Sequence, residues 1–597
     1  MRRTAAAAVA LVCALVLSGC GLKFSLGFGT GEDGRFDGTE LTVPVLYASG
    51  KKGVLATQRI TAASAEGAGL SIDITENDVS GVDPVTQSAT WTAVTAATLL
   101  TGARPDTAYT FGFDTRLATP AAGAVTAVGV LALYYGSEIQ PGVALSGAVT
   151  PFGAIRPVAG LAEQVTAAVE AGGIDTILVP AGQRLVRDAR GETVDLDQLA
   201  ATGGMTVTEV ADIASAYAVM TGEDLPESAF PTPPASPSPL PTSDDADVPD
   251  EALGGAVDEL AAAVADALAA ASDAALAEPA RAALARAEAL RAEGEVAAAF
   301  SAAVDASDRA ALAVAPETSI GEASGAAART AEDASALLAD LDERSPGTLD
   351  DVDRLLRAAT AAADAYALAR YADDLLTDPA DDAARAVATT AAMLAASSLQ
   401  TAQTVAALPP GGGGPLSGDA DLDGLASLLR RAAVAASDAY RTRVVAARAD
   451  ADGVPVDAAA IRLAAADPAA LRALALDHAR AELVGRAPDD RGWAALGIAL
   501  AGYTRVSPVL AATQTVRPPV EADAEDAASR RIAVGDEYTV SAVDALAAAG
   551  AGVPFARGLL AEAVSAAEAE PSAGATRFVT PFVTARVLAF VAGVERS

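Results

Sequence analysis

Lysine is almost missing from this 597-residue chain. Lys23, Lys51 and Lys52 are the only three, so beyond residue 52 every fixed positive charge is an arginine. There is one histidine, His478, and two cysteines, Cys13 and Cys20. These shortages exclude several kinds of chemistry. A phosphate-binding P-loop needs a Gly-Lys-Ser/Thr triplet, which the sequence lacks, so no ATP site of that type is expected. Zinc sites built from Cys and His are excluded by count, and no cofactor is expected. Aromatics make up only 4%, and alanine supplies much of the 51% hydrophobic fraction, which favours thin, close-packed helices over a broad β-sandwich. The length fits two to four domains of ~150 residues.

Positive charge is scarce as a whole. Asp and Glu outnumber Lys and Arg by 78 to 41, a formal net charge of −37. A field of that sign repels phosphate backbones and argues against a nucleic-acid partner. Two origins are open: a high-salt habitat, where carboxylates keep a protein hydrated, or a GC-rich genome drifting toward Ala, Arg, Asp and Gly. The acidity exceeds what coding bias needs, so the halophilic reading is preferred.

At the start, Arg2 and Arg3 precede an apolar run from Ala5 to Leu17, followed by Ser18-Gly19-Cys20. Such a run is too short to span ~30 Å of hydrocarbon but suits a signal-peptide core, here residues 1–19. Leu17-Ser18-Gly19-Cys20 resembles the lipobox of prokaryotic lipoproteins. The resemblance implies lipid on Cys20 and anchorage to the outer face of the cytoplasmic membrane, with two acyl chains holding firmly where one would be marginal. Cleavage removes Cys13 and lipidation blocks Cys20, so no disulfide is expected. Gly-rich residues 20–40 read as a flexible tether. Phe578–Val594, interrupted by Pro581 and Arg586, reads as a core helix rather than a second anchor.

Between residues 41 and 224 the hydrophobic period switches repeatedly, which is α/β in class. Strands are expected at Leu41–Tyr47, Gly53–Ala62, Leu70–Thr75, Ala108–Asp114 and Thr176–Val179, with turns at Ser49–Lys52 and Glu66–Gly69. Val143–Thr150 and Ala154–Pro157 are expected to pair as a hairpin turned at Pro151–Gly153. Helices are expected at Pro84–Leu100, Ala121–Tyr135, Leu161–Ala171 and Val210–Met220. Residues 225–250 carry eight prolines, with Asp244, Asp245 and Asp247 after most of them, the composition of an extended linker. The region 251–597 is Ala-rich and reads as all-α, with a Gly/Pro break at 408–424. Leu253, Val257, Leu260, Val264 and Leu268 mark one apolar stripe, and breakers are expected at Pro279, Ser345–Gly347, Pro379, Pro409–Pro415, Pro455, Pro508 and Pro518–Pro519. A bundle and an irregular solenoid both remain open.

One segment carries more than periodicity. Gly142-Val-Ala-Leu-Ser146-Gly-Ala-Val-Thr150-Pro-Phe-Gly-Ala-Ile-Arg-Pro157-Val-Ala-Gly160-Leu-Ala-Glu-Gln164 resembles the proteolytic domain of Lon-type serine peptidases, and Pro120-Ala121-Ala122-Gly123 stands where that family has Pro-Ser-Ala-Gly. The order of elements is similar to that of the secreted archaeal branch, which lacks the ATPase module. The resemblance covers about residues 41–222. It implies a Ser-Lys dyad, in which a lysine of lowered pKa takes the serine proton. The serine position is Ala121 and the lysine position is Gln164, so neither group is present. Ser146 stands at the family's threonine and Ala118 at an upstream acidic position. Thr119 and Ser146 are the nearest remaining hydroxyls, and Glu163 is a poorly matched base. A literal Pro571-Ser572-Ala573-Gly574 lies outside the matching strand pattern and is read as coincidence.

Asp419-Ala-Asp421-Leu-Asp423-Gly424 matches the start of a calcium loop, but the twelfth position is Arg430, so an Asp-rich helix cap is the preferred reading. His478 has no partner histidine and reads as surface; Trp91 and Trp493 read as core. The functional expectation is therefore an exported lipoprotein whose Lon-like domain has lost its dyad and binds peptides or envelope proteins. Two alternatives stay open: an active ATP-independent envelope peptidase using substitute residues, and a structural scaffold acting through the helical half. An oligomer is also implied by resemblance, since family relatives often form rings.

Two outcomes are expected from the sequence alone. Cys20→Ser should release the protein from membranes or leave an unprocessed precursor, which fractionation and N-terminal mass analysis would detect. Carboxylate repulsion is screened within ~3 Å at 1 M salt and reaches ~30 Å at 0.01 M, so the thermal midpoint should rise with potassium chloride. A flat response would favour coding bias.

Overall fold

A computed structural model describes residues 39–593, except 66–69, 77–78, 81, 104, 227–249, 378–380, 419, 487–491, 515 and 517–520. The signal sequence, Cys20, the tether to residue 38, nearly all of the proline-rich linker, the Glu66–Gly69 turn, Pro379 and Pro518–Pro519 lie outside the described residues.

The N-terminal part is α/β. β1 (Thr39–Ser49) and β2 (Lys52–Ser64) form a long antiparallel hairpin, with Lys51 and Lys52 exposed at its turn. β3 (Ser71–Glu76), β4 (Val79–Ser80), β5 (Thr107–Phe113), β6 (Val143–Leu145), β9 (Thr176–Pro180) and β12 (Thr206–Val210) complete a mixed sheet in the order β12-β9-β6-β1-β2-β5-β3-β4. Alternate residues of β5 are buried, as a half-buried strand requires. Two small ribbons stand apart: β7 (Ala148–Val149) with β8 (Ile155–Arg156), and β10 (Leu185–Arg187) with β11 (Thr193–Asp195). The helices are α1 (Pro84–Thr101), α2 (Gly123–Tyr135), α3 (Leu161–Ala171), α4 (Leu196–Ala201) and α5 (Ile213–Thr221). α2 is buried over Gly123–Leu133, consistent with its apolar circumference.

Two expectations are corrected here. Val143–Thr150 is not one strand. Its first part joins the large sheet, the chain breaks at Ser146-Gly147, and only Ala148–Val149 pairs in the hairpin. Val210 does not start a helix but ends β12, whose run Thr-Val-Thr-Glu-Val has the β-branched alternation of a strand, and Asp212 caps α5 two residues later. Between 181 and 205, where no element was expected, lie β10, β11 and α4.

The remainder is all helical: α6 (Asp250–Ala270), α7 (Ala274–Glu293), α8 (Val296–Val314), α9 (Ile320–Asp342), α10 (Leu349–Thr377), α11 (Asp382–Ala407), α12 (Leu422–Tyr440), α13 (Ala446–Asp452), α14 (Val456–Ala466), α15 (Pro468–His478), α16 (Arg480–Arg486), α17 (Gly492–Thr513), α18 (Glu521–Ala548), α19 (Pro554–Ala569), α20 (Pro571–Arg577) and α21 (Val579–Ala592). The stripe Leu253 to Leu268 is buried along α6. α10 is the central rod, packed against α9, α11, α15, α17, α19 and α21. That arrangement is a bundle, because the repeats of a solenoid touch only their neighbours. Alanine makes it possible: Gly497 of α17 lies so near Ala359 that a Cβ would meet the Ala359 Cβ at 2.3 Å. Pro279 and Pro508 do not break the chain but sit inside α7 and α17. Each removes one helical hydrogen bond, a cost of ~3 kcal/mol that surrounding packing overrides.

Buried charges close the helix ends. On α10, Asp350 accepts from the backbone N–H groups of Gly413 and Val553, and Asp353 from those of Phe555 and Ala556 at the start of α19. Arg354 donates to the carbonyls of Ala406 and Leu408 at the end of α11. Arg586, buried on α21, donates to the Leu99 and Leu100 carbonyls in the last turn of α1. Phe152 and Phe582 meet edge to face at 6.3 Å, and one hydrophobic core runs through both halves.

Burial pushes the Asp353 carboxyl up to about 7, against the lowering effect of its two N–H partners and with a further rise from Asp350. A group that holds its proton more tightly when folded adds stability that is present below about pH 4 and lost as pH rises through 7. Asp353→Asn can keep both accepted bonds without that titration. The wild-type midpoint should therefore fall relative to this variant between pH 5 and 8, as read by paired thermal melts.

Candidate functional site

Two of the Lon-like motifs, Pro120–Gly123 and Ser146-Gly147, meet at one end of β6. Pro120–Ala122 form a single 3-10 turn leading into α2, and the Thr119 hydroxyl accepts from the Ala121 N–H at 3.2 Å. Past β6, the Gly147 N–H donates to the Ala121 carbonyl at 3.0 Å, and the Gly147 carbonyl accepts from Ala124 N–H at 2.9 Å. These two bonds place Ser146 beside the Ala121 turn. Ser146 itself donates its N–H to Leu178 on β9, while its hydroxyl is fully buried without a partner. Gln164 lies in the first turn of α3. Its amide nitrogen donates back to the Ala159 carbonyl at 3.0 Å, and its amide oxygen is buried and unpartnered. Gly53 of β2 lets α3 approach: a Cβ there would lie 1.8 Å from the Glu163 carbonyl oxygen.

The chemistry at this locus follows from its atoms. Ala121 has no oxygen with which to attack a carbonyl, and a neutral amide is no base. Thr119 serves as a turn cap, and Ser146 is sealed from solvent. Glu163 is held by the Ala189 N–H at 2.7 Å. Ala118 is exposed and offers no charge.

Two spaces flank the turn. On one side α17 covers it: Ser507, Leu510 and Ala511, with Gln514 just past the helix, face Pro120, Ala148, Pro151 and Arg156 across a cavity of about 30 Å³. On the other side lies a larger cavity of about 640 Å³, lined by Tyr47–Gly50, Glu76, Asp83, Arg116–Ala118 and Arg443. Arg443 comes from a π-helical turn, Arg441–Val445, between α12 and α13; it pairs with Asp83 at 2.8 Å and reaches the Ala118 carbonyl at 3.4 Å. Glu76 accepts from the Leu117 N–H at 3.0 Å; burial raises its carboxyl pKa, opposed by that bond and by Arg116. Arg116 is exposed and makes no ion pair among the described residues.

Arg116, Arg156 and Arg443 were not singled out from the sequence. Arg156 sits inside the Lon-like segment, so a scan for charge within that apolar stretch would have found it; nothing local marks Arg443. The calcium candidate lies elsewhere. Asp421 caps α12 through the Gly424 N–H, Asp423 follows in the first turn, and Asp419 lies outside the described residues. No cluster suited to a metal occurs among the described residues. The second Pro-Ser-Ala-Gly falls in α20, where Gly574 lies against Ala567 of α19. His478 pairs with Asp374 at 2.7 Å, and Trp91 is buried.

Comparison with known families agrees with this geometry. Residues 115–212 match the family model of the Lon protease (S16) C-terminal proteolytic domain, so the α/β part contains a Lon-type domain. No curated protein matches the chain.

With these groups, the protein should not hydrolyse unfolded casein or react with fluorophosphonates. Ala121→Ser alone should change nothing, since a serine without a base stays protonated at pH 7. Ala121→Ser with Gln164→Lys should give weak labelling at most, because α17 covers one flank and carboxylates raise the pKa of a new lysine. Wild-type cleavage abolished by Thr119→Ala or Ser146→Ala would overturn this assignment.

Proposed function

We propose that this protein is an exported lipoprotein, anchored through Cys20, whose Lon-type domain binds peptide segments of unfolded or envelope proteins without cleaving them. One observation supports the reading: a cavity bordered by Ala118 opens three residues before Ala121, which with Gln164 stands at the dyad positions. A volume of about 640 Å³ is within the range of sites that hold small ligands or a few peptide residues. Its walls offer complementary charge, with Glu76 and Asp83 against Arg116 and Arg443, together with the β1–β2 turn. The helical half supplies Arg443, which ties it to the groove rather than leaving it a separate module. The acidic, lysine-poor surface accords with a high-salt setting.

Titration of the full chain with a fluorescent peptide of unfolded sequence tests this reading. Wild type should bind, and Arg443→Glu should weaken binding about tenfold or more, equivalent to ~1.4 kcal/mol, by placing a like charge beside Asp83. A thermal melt of the variant checks that it is folded. Absence of binding by a folded wild type would return the function to the helical half as an envelope scaffold.

A further inference from the structure

The charged groups that the groove of about 640 Å³ leaves open run against the sign of the whole chain. Acids outnumber bases by 78 to 41, and lysine occurs three times in 597 residues. Two of those three, Lys51 and Lys52, follow directly on Ser49 and Gly50 of the groove wall. Both are exposed, and neither makes a hydrogen bond or ion pair among the described residues. Arg116 lines the groove itself and is likewise exposed without such a partner.

The nearby acids, in contrast, are engaged. Glu76 accepts from the Leu117 N–H at 3.0 Å. Asp83 accepts from the Val85 N–H at 2.9 Å and pairs with Arg443 at 2.8 Å. Asp114, two residues before Arg116, accepts from the Thr57 N–H at 3.0 Å. Glu163, whose backbone abuts Gly53, accepts from the Ala189 N–H at 2.7 Å. These carboxylates keep their charge, but part of their accepting capacity is spent on the protein. The N–H donors of Lys51, Lys52 and Arg116 are all unspent. A ligand therefore gains most here by bringing acceptors. Of the three cations Arg116 is the best suited, because a planar guanidinium matches both oxygens of a carboxylate.

We propose that the groove selects peptide segments bearing a carboxylate, which Arg116 holds through two parallel N–H bonds while Lys51 and Lys52 flank the entry. The carboxylate is an Asp or Glu side chain or the terminal group of a chain. This assignment rests on the peptide-binding reading of the same groove and adds the substrate class to it. The net charge of −37 repels such a ligand at a distance, so the selectivity arises in contact.

Titration of the full chain with four fluorescent peptides of one unfolded sequence tests the assignment, in salt that shortens the Debye length to ~8 Å. One peptide is neutral with an amidated C-terminus, one has an internal Asp, one a free C-terminal carboxylate, and one an internal Lys. At least one carboxylate peptide should bind about tenfold more tightly than the neutral peptide, and the Lys peptide should gain nothing. A gain confined to the internal Asp assigns the site to acidic side chains, and a gain confined to the free terminus assigns it to chain ends. Arg116→Gln should bring the favoured peptide to the affinity of the neutral one and leave the neutral peptide unchanged. Since Arg116 is exposed, its replacement should keep the wild-type thermal midpoint. Lys51→Gln combined with Lys52→Gln should cause a smaller loss for the same peptide. Equal affinity of wild type for neutral and carboxylate peptides, tightest binding of the Lys peptide, or an undiminished preference in Arg116→Gln would overturn the carboxylate class and leave peptide binding standing. Failure of all four peptides to bind would instead overturn the reading of the groove, and this assignment with it.

Discussion

Closing the ends of buried helices is the constraint on which this protein depends. Every helix leaves backbone N–H groups open at one end and carbonyls at the other, and in a core without water these must find partners. Here the partners are charged side chains from distant elements. Asp350 and Asp353 on the central α10 serve the start of α19, Arg354 serves the end of α11, Arg586 the end of α1, and Arg156 the end of α17. The signs match the helix dipole, with carboxylates at N-termini and guanidinium groups at C-termini. Arginine suits the task because its planar fork can bond two carbonyls at once and stays charged when buried. The near absence of lysine thus accords with the architecture as well as with surface composition.

The same bonds decide the fate of the Lon-type site. Arg156 and Arg586 run in opposite directions across the seam, one from the α/β part to α17 and one from α21 to α1. Together with Phe152 and Phe582 they make a single core of the two halves. α17 consequently lies over one flank of the Ala121 turn, while Arg443 borders the open flank. A catalytic centre needs a nucleophile, a base and access. Ala121 and Gln164 supply neither of the first two, α17 limits the third, and the buried oxygens of Ser146 and Gln164 have no hydrogen-bond partner.

Much of the α/β part was legible. The β1–β2 hairpin, α1, β5, α2, α3 and β9 fall within a residue or two of their expected places, because alternation and Gly or Pro punctuation are local signals. That Ala121 and Gln164 offer neither a nucleophile nor a base follows from their side chains alone. What went unseen in this region was short or broken. β12 has five residues, and the split at Ser146-Gly147 is produced by bonds to Ala121 and Leu178 that no local pattern encodes.

By itself the sequence determined the succession of classes, α/β and then all-α, the stripe along α6, and the chemistry that Ala121 and Gln164 cannot perform. Only the tertiary structure decided that Pro279 and Pro508 lie within helices, that Gln164 folds back on Ala159, that α17 covers the cleft, and that Arg156 is buried without an acid. The reason is range. Helix and strand periods are written over about ten neighbouring residues, whereas Arg156 meets Ala511, and Arg586 meets Leu99, across hundreds of positions. Burial and pairing at that distance emerge only when the packed core brings the elements together.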